Sequence, residues 1–271
     1  PSHSHILELA MRVCAGAAAC SLIWFVLGLI GLYSTATAVV ALVGGLGAAV
    51  ITGRRVKEAA DESRVPERAA AVDKLLLLLA AIPVALSGIT AFAPPIAKDT
   101  LLYHFAVPKY FIAQGGSGFI EGNIASYLSL GTEMHVVWSM LLGNIVSSRA
   151  SEDAAGAVIW LFFPILLAAV FGFARELDVP RRWALVAVLM TASVPTAYHV
   201  AASGYIDLAL ACYVTLAVFA LIRWRHTLSN GPLLVMAIFL GAALSSKLTT
   251  LFVFAAFALV ILLHARNGQA R

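Results

Sequence analysis

Long apolar runs separated by short polar breaks dominate this 271-residue chain. About 20 apolar residues are enough for an α-helix to cross a bilayer, and several runs reach that length. The spans predicted from this pattern lie at 6–31, 33–52, 75–95, 157–174, 183–203, 206–222, 233–246 and 249–264, the last two being short. The sequence therefore predicts an all-α, polytopic transmembrane helix bundle of about seven or eight spans.

The charge balance supports a membrane protein and gives the bundle an orientation. Only 12% of the residues are charged, about half the share in a soluble domain. Lys and Arg concentrate in the breaks at 53–74, 175–182 and 223–226. Short loops rich in Lys and Arg face the cytoplasm, so we expect all three breaks and the N-terminus to be cytoplasmic. The net charge of +4 then reflects topology and not nucleic-acid binding.

The longest interruption, at 96–156, is then expected to be an external loop. Its segment 128–147 contains Glu133 and His135, which a lipid-exposed span should avoid. If this segment crossed the membrane, the Arg-rich breaks after it would face outward. We therefore expect an interfacial or re-entrant helix here. With that topology, Asp99 and Asp207 emerge at the same non-cytoplasmic surface.

Asp99 is the first candidate for chemistry in the external loop. Asp99 and Tyr103 are four residues apart, so they share a face of a helix. His104 is adjacent and Lys109 comes one to two turns later. A carboxylate there can act as a general base toward a hydroxyl or amine, and a nearby Lys can neutralise a phosphate. The same residues also allow Lys98 and Asp99 simply to end a span, with Asp99 capping the next helix.

Asp207 and Lys247 lie at two further breaks in apolar sequence. Asp207 comes after Ser203-Gly204-Tyr205-Ile206, where glycine permits a sharp bend. It serves either as the N-cap of the span at 206–222 or as a site residue. Lys247 lies between two apolar half-spans, where it either snorkels to the interface or binds an anion.

The sequence gives no support for a bound cofactor. The histidines near apolar segments lack the spacing of a zinc site. No glycine-rich nucleotide-binding loop of the GxxxxGK[ST] type is present. We expect no cofactor, and ligand spacing does not support a divalent metal.

Together these residues resemble the C-type membrane glycosyltransferases (the GT-C superfamily). That superfamily includes oligosaccharyltransferase catalytic subunits, protein O-mannosyltransferases and aminoarabinose transferases. Three strings carry the likeness over residues 75–265: Asp99-Thr-Leu-Leu-Tyr-His-Phe-Ala-Val-Pro-Lys-Tyr110, Gly204-Tyr205-Ile206-Asp207, and the glycine-rich span Gly241 to Ser246-Lys247. They are similar to an acidic motif of the first external loop, a second acidic motif after a Gly-Tyr turn, and a later Ser/Thr-Lys pair.

The resemblance implies transfer of a sugar from a polyprenyl-phosphate donor to an acceptor at the external face of the bacterial inner membrane. Asp99 would be the general base and Asp207 would position the acceptor or the sugar. The remaining substrate contacts implied are Tyr103 and His104 on the sugar, Lys109 and Lys247 on the donor phosphate, and Tyr205 beside Asp207. Residue 209 is Ala, so the second acidic motif lacks a neighbouring carboxylate that a metal would need.

The same likeness divides the chain into two extra N-terminal spans at 1–52, a cytoplasmic charged loop at 53–74, and a GT-C-like core at 75–265 with the external loop 96–156. Superfamily members usually continue through more spans, so we expect a fragment, half of a split enzyme, or a degenerate relative. The main alternative is a non-catalytic membrane subunit of a larger complex, which the small residues around Gly44, Gly45 and Gly47 favour.

Overall fold

The computed structural model describes residues 5–61 and 70–269, without the side chains of 52–61 and 265–269. In these residues every regular element is helical, which confirms the all-α class. The α-helices in chain order are α1 His5–Leu29, α2 Thr35–Asp61, α3 Ala71–Ala91, α4 Ala106–Gln114, α5 Glu133–Gly143, α6 Ser148–Trp160, α7 Phe162–Glu176, α8 Arg181–Ala192, α9 Pro195–Ala202, α10 Asp207–Thr227, α11 Asn230–Ser246 and α12 Thr250–Gln269. A π-helical turn, Thr100–His104, precedes α4, and a 3-10 turn, Ile124–Tyr127, precedes α5.

Four helical units of the described chain are long and apolar enough to cross a membrane. They are α1, α3, α6 with α7 as one 29-residue unit, and α10. The bent pair α8 and α9 makes a fifth if it counts as one span. The apolar parts of α2, α11 and α12 are 17 residues or shorter. A multi-pass helical membrane protein is consistent with this, while the count of seven or eight spans stays a prediction.

The predicted span at 183–203 is broken rather than straight. Helices α8 and α9 meet at a bend of 62°. Pro195 begins α9, and Val194 before it is extended. Proline lacks a backbone N–H and disfavours the helical conformation at the preceding residue, which accounts for the break at this point.

A helix begins within the segment 96–156, which the sequence predicts to be an external loop. Helix α6 starts at Ser148, and the Ser147 hydroxyl accepts a 3.0 Å hydrogen bond from the Ala150 N–H as its N-cap. The charges of its first turns are paired, since Arg149 donates to Asp153 at 2.8 Å. The paired charges and the N-cap stabilise the polar start of α6, which then leads into α7.

The first helix packs against a core helix, and the described parts of the predicted loop 53–74 are helical. Helix α1 packs so closely on α7 that a Cβ on Gly172 would lie 2.6 Å from Leu7. Within the predicted loop 53–74, residues 53–61 continue α2 and residues 71–74 begin α3. Residues 62–69 lie outside the described residues.

Contacts between distant segments give the bundle two distinct ends. At one end Arg181, which begins α8, lies 3.4 Å from Asp73 near the start of α3. A cavity of about 450 Å³ at this end is lined by Glu8 and Arg223, among others. The Arg-rich turns after α7 and within α10 therefore share an end with the start of α1. Which side of the membrane this end faces stays a prediction.

Candidate functional site

The opposite end of the bundle contains a polar cluster, and a π-turn shapes its first segment. The Phe105 N–H bonds to the Thr100 carbonyl at 2.9 Å, a five-residue step instead of the four of an α-helix. Such a step inserts one residue into the helix. Within this turn Tyr103 is partly exposed and His104 is buried. Single π-turns inside helices are frequent at functional sites.

Four segments of the chain meet at this π-turn. The Thr100 hydroxyl donates to the Ser203 carbonyl, which joins the π-turn to the end of α9. Thr132 and Ser246 share a 2.7 Å hydroxyl–hydroxyl bond, and the Gly131 N–H bonds to the Ser245 carbonyl at 2.7 Å. These bonds fasten the start of α5 to the end of α11. We call the four segments 99–104, 131–133, 203–207 and 245–247 the polar cluster.

An ion pair connects two of these segments. Lys247 Nζ donates to Asp207 Oδ1 at 2.7 Å, and both side chains are about two-fifths exposed. Asp207 is the first residue of α10, and Ile206 holds the N-cap position that the sequence allowed for it. An ion pair this exposed contributes little to stability, and it leaves both charged groups within reach of a ligand.

A second acidic–basic pair is sealed inside the cluster. His104 Nδ1 lies 2.7 Å from Glu133 Oε1, with side chains 4% and 1% exposed. This distance is that of a hydrogen bond between the carboxyl group and the ring nitrogen. Glu133 Oε2 is also buried and has no protein partner among the described residues. Glu133 thus fixes the orientation of the His104 ring.

The pKa of Tyr103 records the convergence of three carboxylates. Partial burial and the charges of Asp99, Glu133 and Asp207 raise it to about 12. The Tyr103 hydroxyl also donates a long 3.4 Å hydrogen bond to Asp99 Oδ2, the helical pairing expected from the sequence. Asp99 and Asp207, far apart in sequence, therefore both lie within electrostatic reach of one phenol.

Asp99 differs from its two acidic neighbours. Lys247 pairs with Asp207, and His104 pairs with Glu133. No basic group among the described residues pairs with Asp99. Asp99 is half-buried and precedes the π-turn without making a capping bond. A capping role is therefore not what holds it there, and the one side-chain bond given for its carboxylate among the described residues is the one from Tyr103.

Aromatic rings border the carboxylates. The His104 ring lies 4.1 Å from Tyr103 and 5.7 Å from Tyr205, centre to centre. Tyr205 also meets His199 edge-on at 5.8 Å. Gly204 has a φ of +71°, and a Cβ there would lie 3.0 Å from the Phe105 ring. The sharp bend expected at this glycine is present and brings Tyr205 against the π-turn.

Lys109 does not join the cluster. It forms an ion pair with Glu152 on α6, and none of its bonds among the described residues reaches Asp99 or Asp207. Of the residues named from the sequence, the structure groups Asp99, Tyr103, His104, Tyr205, Asp207 and Lys247.

A large apolar cavity adjoins the cluster. It has a volume of about 940 Å³ and lies between α1, α11 and the segment 117–131. Gly131 and Ser245 of the polar cluster form part of its wall, and Ser245 lies two residues before Lys247 in sequence. The described residues contain no group of three or more His, Cys, Asp or Glu arranged to hold a metal ion.

Glu133 is the residue of this site that the sequence did not single out for chemistry. The sequence indicated only that a carboxylate at this position disfavours a lipid-exposed span. Its spacing of 29 residues from His104 corresponds to no motif. Buried acids within apolar segments are functional candidates in general, and that was the signal available.

Comparison with known proteins adds no identification. No protein-family model, curated protein or solved structure matches this chain.

Proposed function

We propose that this chain is an integral membrane glycosyltransferase of the C type, which transfers a sugar from a polyprenyl-phosphate donor to an acceptor at the non-cytoplasmic face. In this reaction the acceptor loses a proton as its oxygen or nitrogen bonds to the anomeric carbon. The bond from that carbon to the phosphate oxygen breaks, and the lipid phosphate leaves. The site must therefore accept a proton, stabilise a phosphate and hold an apolar chain.

The observation that carries the proposal is that segments 99–104 and 203–207 are bonded together, so that Tyr103 bonds to Asp99 and lies within electrostatic reach of Asp207. Asp99 alone of the three carboxylates lacks a basic partner among the described residues. A general base needs a carboxylate that is free to take a proton. Asp99 is accordingly assigned as the base, and Asp207 positions the acceptor or the sugar beside it.

Lys247 is the group best placed for the leaving phosphate. Its ammonium is two-fifths exposed and already held in place by Asp207. A fixed cation near developing negative charge stabilises the transition state without reorganisation. Lys109 would have to break its ion pair with Glu152 before it could contact the donor phosphate.

The apolar cavity supports a lipid-linked donor over a soluble one. It extends beside α1 from Ala15 to Leu29, a length of about 20 Å at 1.5 Å per residue. Its far wall on α11 ends at Ser245, two residues before Lys247. A polyprenyl chain in this cavity would bring its phosphate to the cluster.

Glu133 enters the proposal as a positioning residue. It holds His104 through Nδ1, which turns the Nε2 side of the ring away from Glu133. Tyr103 and Tyr205 lie against the same ring, so its orientation sets the wall on which a sugar would pack. Such chemistry gains mainly from orientation of the reactants.

The proposal is tested with purified protein in lipid vesicles, given radiolabelled polyprenyl-phosphate-linked hexose and pentose. The measurement is sugar released from the lipid phosphate or passed to an acceptor. We expect Asp99→Asn and Asp207→Asn to abolish the signal. Asp153→Asn, in the α6 pair with Arg149, is the matched control and should leave it intact. Full activity in both Asp99→Asn and Asp207→Asn would overturn the proposal.

One observation favours the rival function of a non-catalytic subunit. A Cβ at Gly44, Gly45 or Gly47 of α2 would meet no atom within 4 Å, so this face of α2 is open. Open faces of small residues allow close helix–helix contact in membranes. Stoichiometric copurification with other membrane proteins, with no sugar transfer, would select this alternative.

A further inference from the structure

The segment between α4 and α5 presents an unusual surface for a loop. In residues 115–130, here called the aromatic loop, Glu121 is the only charged residue. Phe119 is 74% exposed, Ile124 85% and Tyr127 60%. Large apolar side chains in a water-facing loop are seldom grouped in this way.

The aromatic loop is ordered by its own hydrogen bonds. The Ser126 hydroxyl donates to the Asn123 carbonyl at 2.8 Å and accepts from the Ile120 N–H at 2.9 Å. The Phe119 and Tyr127 rings stack at 4.4 Å with planes 8° apart. Its backbone polar groups are thus partly satisfied internally, and the apolar side chains are held outward as one surface.

This surface continues the apolar side of a membrane span. Phe119 and Tyr127 line the large cavity together with Leu22, Phe25 and Leu29 of α1, three side chains that are themselves exposed. The Ser117 N–H bonds to the Gly28 carbonyl at 2.9 Å, which fixes the loop at the end of that span. Aromatic side chains with a polar group favour this depth, where a bilayer meets water.

We infer that the aromatic loop is a lipid-contacting element, with Phe119, Ile124 and Tyr127 embedded in the bilayer at the boundary of headgroups and acyl chains. The cavity beneath it then opens to lipid, so an amphiphile with a long apolar chain reaches the polar cluster from within the membrane. The partner is bilayer lipid itself. The inference requires only that α1 spans the membrane, and it stands or falls separately from sugar transfer.

Spin labelling tests it directly. A nitroxide is attached at Phe119→Cys or Ile124→Cys in a Cys20→Ala background, because Cys14 and Cys212 are buried. The protein is reconstituted in phosphatidylcholine–phosphatidylglycerol vesicles. Collision with apolar oxygen is then compared with collision with a water-soluble nickel chelate. Glu121→Cys on the same loop is the matched control, and Leu29→Cys calibrates contact with lipid.

We expect labels at 119 and 124 to favour oxygen as the label at 29 does, and the label at 121 to favour nickel. Two sites are used so that the test does not depend on the folding of one variant. Preference for nickel at both 119 and 124 would overturn the inference by placing the loop in water. Exclusion of both reagents at 119 and 124 would also overturn it, because a protein partner and not lipid would then cover the loop.

Discussion

Lys247 and Asp207 close the hairpin of α10 and α11 at its open end, with 2.7 Å between Nζ and Oδ1. Asp207 is the first residue of α10, and Lys247 comes directly after the last residue of α11. A carboxylate at a helix N-terminus and a cation at a helix C-terminus are both favoured by the helix dipoles. The two helix ends therefore favour the same arrangement of charge that the ion pair makes.

From this arrangement we expect Lys247 to contribute more to the reaction of the donor substrate than to the stability of the fold. We expect Lys247→Met to change the free energy of unfolding by no more than about 1 kcal/mol, because the pair is exposed. The same variant should lower kcat/KM for a polyprenyl-phosphate sugar by tenfold or more, which corresponds to about 1.4 kcal/mol of lost transition-state stabilisation. Lys109→Met, which removes the pair with Glu152, is the comparison and should lower kcat/KM less. A larger effect from Lys109→Met would reverse the two assignments.

The buried pair of His104 and Glu133 should behave differently from the exposed one. Removing one partner leaves a buried polar group unsatisfied, so Glu133→Gln and His104→Gln should each destabilise the protein by about 1–3 kcal/mol. The double variant should lose less than the sum, as a double-mutant cycle on unfolding would show. Asp153→Asn, in an exposed pair, should cost no more than about 1 kcal/mol. Additive effects of Glu133→Gln and His104→Gln would show that the two side chains do not interact.

Gly131 should be intolerant of any side chain. A Cβ there would lie 2.7 Å from the Ser245 carbonyl oxygen, and this backbone contact joins α5 to α11. We expect Gly131→Ala to destabilise the protein by about 1–3 kcal/mol through overpacking. At Gly241 of α11 nothing lies within 4 Å, so Gly241→Ala should be neutral or stabilising. The reverse order in thermal unfolding would contradict this packing.

His135 should make the protein sensitive to acid. Complete burial lowers its pKa to about 4, whereas an unfolded histidine has a pKa near 6.5. Below pH 6.5 the unfolded chain takes up a proton that the folded chain excludes. The stabilising contribution is therefore full above pH 6.5 and falls as the pH drops toward 4, by roughly 3 kcal/mol.

The check is the pH dependence of thermal unfolding between pH 7.5 and pH 4.5, compared in wild type and His135→Leu. We expect the loss of stability on acidification to be smaller in His135→Leu. Identical pH dependence in the two proteins would mean that His135 is not held neutral in the folded state.

The sequence was most informative where local rules operate. The four-residue spacing correctly predicted that Asp99 and Tyr103 lie on one face of a helix. Gly204 correctly predicted a sharp bend, which has a positive φ at this residue. The apolar runs gave the all-helical class. Pro195 also carried a local signal for the break in the span at 183–203, but the apolar length of that run outweighed it.

Contacts that depend on packing between distant helices could not be predicted in this way. His104 lies in the π-turn and meets Glu133 at the start of α5, 29 residues further along the chain. Lys109 meets Glu152 because α6 begins within the predicted loop and places its first turns beside α4. Neither the extra residue of a π-turn nor the start of α6 leaves a distinct mark on hydrophobic periodicity.

In the proposed function Asp99 is the proton acceptor of a sugar-transfer site that it shares with Asp207. The most direct test is to measure kcat and donor KM for Asp99→Asn with a polyprenyl-phosphate sugar in vesicles. We expect kcat to fall by about 10²–10⁴-fold, the usual contribution of a general base, with donor KM nearly unchanged. A kcat equal to that of the wild type would contradict the claim.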